Sequence, residues 1–245
     1  MIRSTLILSA LLFSAPTALG SPFEFTGTAT DDRDNLIYVE SHRVEGHCAE
    51  GVFQPVMHSV QYRETRRDEP FAVKALSFDN GSLRPTVEFS QPDYNEQLNI
   101  RHMEPDELEI QWQQPSGNTE VYSVTFDQSL VVDAGFDHLV RANWDRVARG
   151  EAIEFRFLAP TRGEHYGFVL ESTSSSQISA DVVVRIRPTS LVLRLLVDPI
   201  VLGYNREGAL TDYLGLTNIR RNSDENYTAH IRYQVSNYPD CELTP

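Results

Sequence analysis

Hydrophobic and polar residues alternate with a period of two along most of this chain, and the alternation is broken at short intervals by turn-forming clusters. Period-two runs at Phe23–Ala29, Leu36–Val44, Val56–Arg63, Phe71–Phe78, Pro85–Phe89, Leu98–Met103, Leu108–Gln113 and Glu120–Phe126 predict strands, with Tyr38 and Glu40 read on a half-exposed face. Asp31–Asn35, Asp79–Ser82, Gln91–Asp93 and Pro115–Asn118 separate them, as the turns of an antiparallel meander would. One segment has helical spacing instead. Phe136, Leu139, Val140, Trp144, Val147 and Ala148 recur at three and four residues, so an amphipathic helix is expected over about 136–148. Asp133 stands before it as a cap and Gly150 after it as a stop, with Asp137/Arg141 and Asp145/Arg149 expected as ion pairs on its water-facing side.

Strand patterns resume at Ala152–Leu158, Tyr166–Glu171, Val182–Arg187, Ile200–Tyr204 and Ala209–Tyr213, and a last pair lies around Asn218–Arg220 and Tyr227–Tyr233. Leu191–Val197 is apolar except for Arg194 and reads as a short second helix capped by Ser190, or as a buried strand. The expected fold is therefore mainly β, a curved antiparallel sheet or half-open barrel carrying one amphipathic helix. No linker divides it, and Ser172–Ser176 reads as a loop, so residues 21–245 form one domain.

The first twenty residues depart from this pattern. Arg3, the apolar stretch Leu6–Ala15, Pro16 and the small-x-small exit Ala18-Leu19-Gly20 form the three parts of a cleavable signal peptide, with Ser21 as the new N-terminus. The apolar run falls short of the roughly 20 residues that span a bilayer, so the expected product is a periplasmic or secreted protein without a membrane span. Loss of Arg3 moves the formal net charge from −14 to −15, which argues against nucleic acid as a partner. Two cysteines, Cys48 and Cys241, are expected to pair in an oxidising compartment; free thiols, or chemistry at His47-Cys48, are the rival readings.

Candidate chemistry is sparse. The seven histidines show no metal-ligand spacing and are read as isolated surface residues, so neither a metal nor a cofactor is expected. Asp133-Ala134-Gly135-Phe136-Asp137-His138 has the densest mix of acids and base, but capping of the helix accounts for its carboxylates. No nucleophile elbow, phosphate loop or zinc motif is present, and no catalytic residue is assigned. Aromatic residues are more informative. Phe155 and Phe157 share one strand face, as do Tyr166 and Phe168; with Phe136, Val140 and Trp144 from the helix they are the candidate lining of an apolar ligand site. Core packing is the competing account of the same residues.

Asp133–Phe136 running into Trp144, the segment Arg194–Ile200 and the segment Leu214–Ile219 carry a resemblance to exported bacterial periplasmic families related to the lipoprotein carriers LolA and LolB. It covers the C-terminal half. The resemblance implies a half-open β-barrel that shelters something apolar, with no catalytic residues to carry over. The leading expectation is a non-enzymatic envelope protein sheltering an apolar small molecule or lipid. A structural module that binds another envelope protein, and an enzyme using the Asp133–His138 region, are the alternatives.

Overall fold

The computed structural model describes residues 20–245; the expected signal peptide lies outside the described residues except for Gly20. The chain forms one fifteen-stranded sheet in the order β8-β7-β6-β5-β4-β3-β2-β1-β15-β14-β13-β12-β11-β10-β9. Its strands are β1 (Phe23–Thr30), β2 (Leu36–Ala49), β3 (Val52–Arg63), β4 (Ala72–Ser77), β5 (Thr86–Gln91), β6 (Glu96–Glu104), β7 (Glu107–Gln113), β8 (Thr119–Thr125), β9 (Leu130–Val131), β10 (Ile153–Ala159), β11 (Glu164–Ser172), β12 (Val182–Pro188), β13 (Ile200–Tyr204), β14 (Leu210–Arg220) and β15 (Asn226–Asn237). Every strand pairs antiparallel with its neighbour except β9 and β10, which run parallel because the helices intervene between them. The topology is two meanders, β1–β8 and β9–β15, joined where β1 pairs with β15 (Gly27 opposite Tyr233).

The mainly β, curved antiparallel architecture expected from the alternation is therefore present, with three differences of detail. Strand β9 carries only two residues, too few to show a period. The Ala209–Tyr213 and Asn218–Arg220 segments are one continuous strand, β14. The expected 136–148 helix is two short ones, α1 (Gly135–Ala142) and α2 (Trp144–Ala148). They break at Asn143, whose φ is −115° and whose Nδ2 donates to the Leu139 carbonyl at 2.9 Å.

One face of the sheet, here the inner face, carries Tyr38, Val60, Leu76, Val87, Ile100 and Ile110, all nearly inaccessible. In the C-terminal meander the same face carries Phe155, Leu170, Ile186, Val184, Leu202 and Tyr204, on which Leu139, Val140 and Val147 of the helices pack. The ribbon curls on itself. Leu130 and Leu158, near the β9 edge, share a cluster with Leu108, Ile110 and Val124 from the other end of the sheet. Since Leu158 is three residues from Phe155, the two point to opposite faces, and β10 is buried on both. Polar contacts fix the curl. Arg220 of β14 grips Glu96 of β6 (Nε–Oε2 2.8 Å), and Gln91 donates to the Asn218 carbonyl at 3.0 Å. His165 of β11 meets the Thr125 carbonyl of β8 at 3.2 Å. The turn before β11 ends on Gly163 (φ +61°), where a Cβ would lie 2.4 Å from the Tyr122 ring, so only glycine lets this turn touch β8.

Cys48 and Cys241 form the expected disulfide, with Cα atoms 6.0 Å apart, tying the end of β2 to the C-terminal tail. Ser21 reaches the same tail, its backbone N–H 3.2 Å and its Oγ 3.0 Å from the Asp240 carboxylate. No helix among the described residues is long and apolar enough to cross a membrane.

Candidate functional site

The residues expected to line an apolar site fall into two groups. Val140 is inaccessible and Phe155 nearly so. Trp144 faces the sheet as its place in the stripe predicts, its ring centroid 6.0 Å from Tyr204, and Phe136 lies 6.3 Å from Tyr213. These four sit in the seam between helices and sheet. Phe157 and Phe168 form a second group that meets Phe155, with centroids among the three 5.9 to 6.1 Å apart. Phe157 and Phe168 are only half-buried, and Tyr166 beyond them turns its hydroxyl to Glu164. The larger of the two best-formed depressions, about 420 Å³, lies elsewhere: Ser59, Gln61, Val73, Glu88, Ser90 and Asn99 line it on the outer face of β3–β6. The smaller is an outer-face cleft of about 50 Å³ among Gln97, Asn99, Gln111, Gln113 and Thr119. Neither touches the helices.

Beneath α1 the inner face is polar, which the sequence reading did not anticipate. Tyr38 and Glu40 are buried at 1% and 5% exposure, not half-exposed. The Glu40 carboxylate accepts from Tyr233 Oη at 3.0 Å and contacts His42 Nε2 at 2.9 Å, and His42 Nδ1 lies 2.9 Å from His58 Nε2. Gly27 makes this possible: it sits between Tyr233 and Glu40 in the ladder, and a Cβ there would lie 2.6 Å from the Tyr233 ring. Burial and the nearby His42 push the His58 imidazole well below its usual range, so it is neutral. His42 thus bridges the neutral His58 ring and the Glu40 carboxylate, with the ring tautomers setting which nitrogen donates. Burial beside Glu40 likewise raises the Tyr233 phenol.

Two ion pairs stand next to this chain. Lys74 Nζ is 3.0 and 2.9 Å from the Asp133 carboxylate oxygens, which also accept from Asn218 Nδ2 and the Ala134 N–H. Arg141 Nη2 is 2.7 Å from Asp137 Oδ2, and Arg141 Nε donates to the Gly208 carbonyl at 3.0 Å. Two expectations are corrected here. Asp133, at φ +45°, makes no cap to the helix and answers Lys74 instead. The Asp137–Arg141 pair faces the interior, because β13 and β14 supply an acceptor turn there; Asp145 does not pair with Arg149, which goes to Glu151. Burial raises the Asp137 carboxyl, and burial near Arg141 pushes the His138 imidazole down to about 3. His138 packs edge-on against Phe78, with centroids 5.0 Å apart.

His42, His58 and His230 are thus not isolated surface residues. His230 lies on the outer face with Nε2 2.8 Å from Asp212 Oδ1. Ile178 and Ala180, from the β11–β12 loop, cross that face over Gly203, where a Cβ would meet both. The His230 ring makes no second hydrogen bond among the described residues, so no nucleophile is aligned with it. No cluster of three or more His, Cys, Asp or Glu among the described residues is placed to hold a metal ion.

The most exposed apolar surface is in a loop. Leu191–Val197 is neither a buried strand nor a full helix but a tip closed by a 3-10 turn over Leu193–Leu195. Leu191, Val192, Leu195 and Leu196 are 76, 68, 87 and 76% exposed. The tip joins the adjacent antiparallel strands β12 and β13, so it projects past the sheet end, where no layer is available to cover it. It leaves the sheet just after Pro188, which pairs with half-buried Phe168. The apolar run that marks it in the sequence is the same signal that marks a core segment.

Comparison of the chain with protein-family models, with curated proteins and with solved structures finds no match.

Proposed function

We propose that this chain is a non-enzymatic envelope or secreted protein that engages an apolar partner at the end of its C-terminal meander. The observation that carries the reading is the aliphatic tip Leu191–Val197, held in water three residues past Pro188, the ladder partner of half-buried Phe168. Surface patches of this kind mark interaction sites. The disulfide fits an oxidising compartment. Processing before Ser21 would place its new ammonium against the Asp240 carboxylate, a contact already made by the Ser21 N–H. The curl of antiparallel strands around a helix is also what a resemblance to the lipoprotein carriers implies. The interior, however, holds buried aromatic side chains and two buried ion pairs, which supports docking over sheltering.

The test places a photoreactive residue at Leu195 in producing cells, with Asp224, in an exposed turn, as the control. Adducts from Leu195 alone support docking; equal labelling at both positions, or none, overturns it. Native mass spectrometry of the protein from the same cells is expected to give the processed chain alone. A co-purifying lipid would move the site inside and restore the sheltering reading.

An enzymatic reading has one observation in its favour, the convergence of Glu40, His42, His58, Lys74, Asp133 and Asp137 under α1. All six have a polar partner, although Asp137 Oδ1 is buried without one; of the six only Lys74 borders a depression, the one on β3–β6.

A further inference from the structure

We infer that the occupant of the Leu191–Val197 tip is the interfacial layer of a phospholipid bilayer, an assignment that rests on the docking reading above. Three observations favour lipid over a protein groove. The first is the side-chain chemistry. Apart from Arg194, the tip is aliphatic from Leu191 to Val197, without the Tyr and Trp anchors that dominate protein interfaces. Arg194 is turned back, donating to the Pro188 and Thr189 carbonyls at 2.9 and 3.2 Å, so its charge stays at the base of the tip.

The second is the backbone. The N–H groups of Arg194, Leu195, Leu196 and Val197 donate to the carbonyls of Ser190, Val192, Leu193 and Leu193, at 3.1, 3.2, 3.0 and 2.9 Å. Four of the seven tip amides are thus satisfied internally and enter hydrocarbon without being stranded. The same saturation leaves those amides unavailable to extend a partner's sheet. The third is charge. From β10 to β13, residues 153–204, the chain carries five arginines (Arg156, Arg162, Arg185, Arg187, Arg194) and five carboxylates (Glu154, Glu164, Glu171, Asp181, Asp198), a balanced stretch within a chain of net charge −14. The tip is thus flanked by a stretch that an anionic or zwitterionic surface does not repel. Leu216 on β14, two residues past the partner of Val201, adds another exposed aliphatic side chain at the base.

The tip therefore inserts as an aliphatic wedge, with Thr189, Ser190 and Arg194 level with the headgroups. Insertion of this kind depends on apolar burial and so resists salt, in contrast to binding through a basic patch. The test is flotation of the processed, oxidised protein with phosphatidylcholine vesicles, with and without added phosphatidylglycerol, in low and high salt. The parent is expected to float with both vesicle types at both salt levels. Leu195→Ser/Leu196→Ser is expected to weaken binding by at least about tenfold with an unchanged urea midpoint, since both side chains are already in water.

Failure of the parent to float, equal binding by the variant, or binding that salt abolishes would each overturn the lipid assignment. Should the parent instead sediment as a dimer that the variant loses, the occupant is a second copy. In that case the lipid assignment falls while the docking reading stands. The photocrosslinking result at Leu195 decides the docking reading separately.

Discussion

Replacing Lys74 by Met is expected to expose how much the fold depends on its buried charges. The Lys74 and Asp133 side chains are 7% and 13% exposed, and the ammonium lies about equidistant from both carboxylate oxygens. Removing one member of a buried pair typically costs about 3–5 kcal/mol, because the remaining charge is left without compensation. Asp133 keeps two other donors, Asn218 Nδ2 and the Ala134 N–H, which places the expected loss near the lower end, at about 3 kcal/mol. That is a large part of the roughly 5–15 kcal/mol by which domains are stable. Asp133→Asn alone strands the ammonium and is expected to cost a similar amount. The double variant Lys74→Met/Asp133→Asn strands neither charge. Asn tolerates the +45° φ at this position, so most of the loss should be recovered. Urea unfolding followed by the fluorescence of Trp112 and Trp144 measures all three. A loss below about 1 kcal/mol for Lys74→Met, or a double variant as unstable as the sum of the singles, would refute the claim that the pair is a coupled buried element.

Mass mapping without reductant should recover Cys48 linked to Cys241, and Cys48→Ala/Cys241→Ala should lose stability up to the order of 5 kcal/mol for a loop of 193 residues. Free alkylation of both thiols in the native protein would contradict the bridge. Stability should also fall off on both sides of a plateau in pH. His58 and His138 are held neutral in the fold and take up protons once unfolded. Stability is therefore lost as pH falls from about 6.5 toward the His138 value of about 3, each group adding a slope of up to about 1.4 kcal/mol per pH unit. Asp137, raised by burial, works in the opposite sense at the acid end. On the alkaline side, burial raises Tyr38, Tyr62, Tyr204 and Tyr233, so the unfolded chain ionises first and stability is lost as pH rises above about 10. Flat urea midpoints from pH 5 to 7 in otherwise identical buffers would count against the histidine assignment.

Strand positions were legible because alternation and turn residues act locally: Ile200–Tyr204 is bounded as expected, and most others differ by a residue or two at each end. The face each strand buries was less legible. On β2, one phase carries Tyr38, Glu40, His42 and Val44 and the other Ile37, Val39, Ser41 and Arg43, so hydropathy does not choose between them. The buried phase is the one that meets Tyr62 on the next strand and Tyr233, 193 positions from Glu40. The helix was legible from its stripe, but its break at Asn143 turns on a single side-chain hydrogen bond. Asp133 looked like a cap because Asp is a capping residue; Lys74, 59 positions earlier, decides its role. The tip was misread because an aliphatic run signals burial whether or not a neighbouring layer exists to receive it. The pairing of Cys48 with Cys241 needed no geometry, since the chain has only two cysteines.

The pairing of β1 with β15 also imposes an order in time. β1 is the eighth of fifteen strands across the sheet, its middle, yet one of its two neighbours is the last strand to be synthesised. Until β15 appears, the centre of the finished sheet is a raw edge, with the N–H and C=O groups of Phe25 to Thr30 on that side unpaired. The first meander can assemble hairpin by hairpin, but the core residues Ile231 and Ala229, and the Glu40–Tyr233 contact over Gly27, wait for β15. Closure of the sheet therefore follows the emergence of β15, and the disulfide, whose Cys241 lies beyond that strand, can form only later still. A chain truncated by even its last fifteen or so residues would keep most of its strands and lose the one that makes them a single sheet.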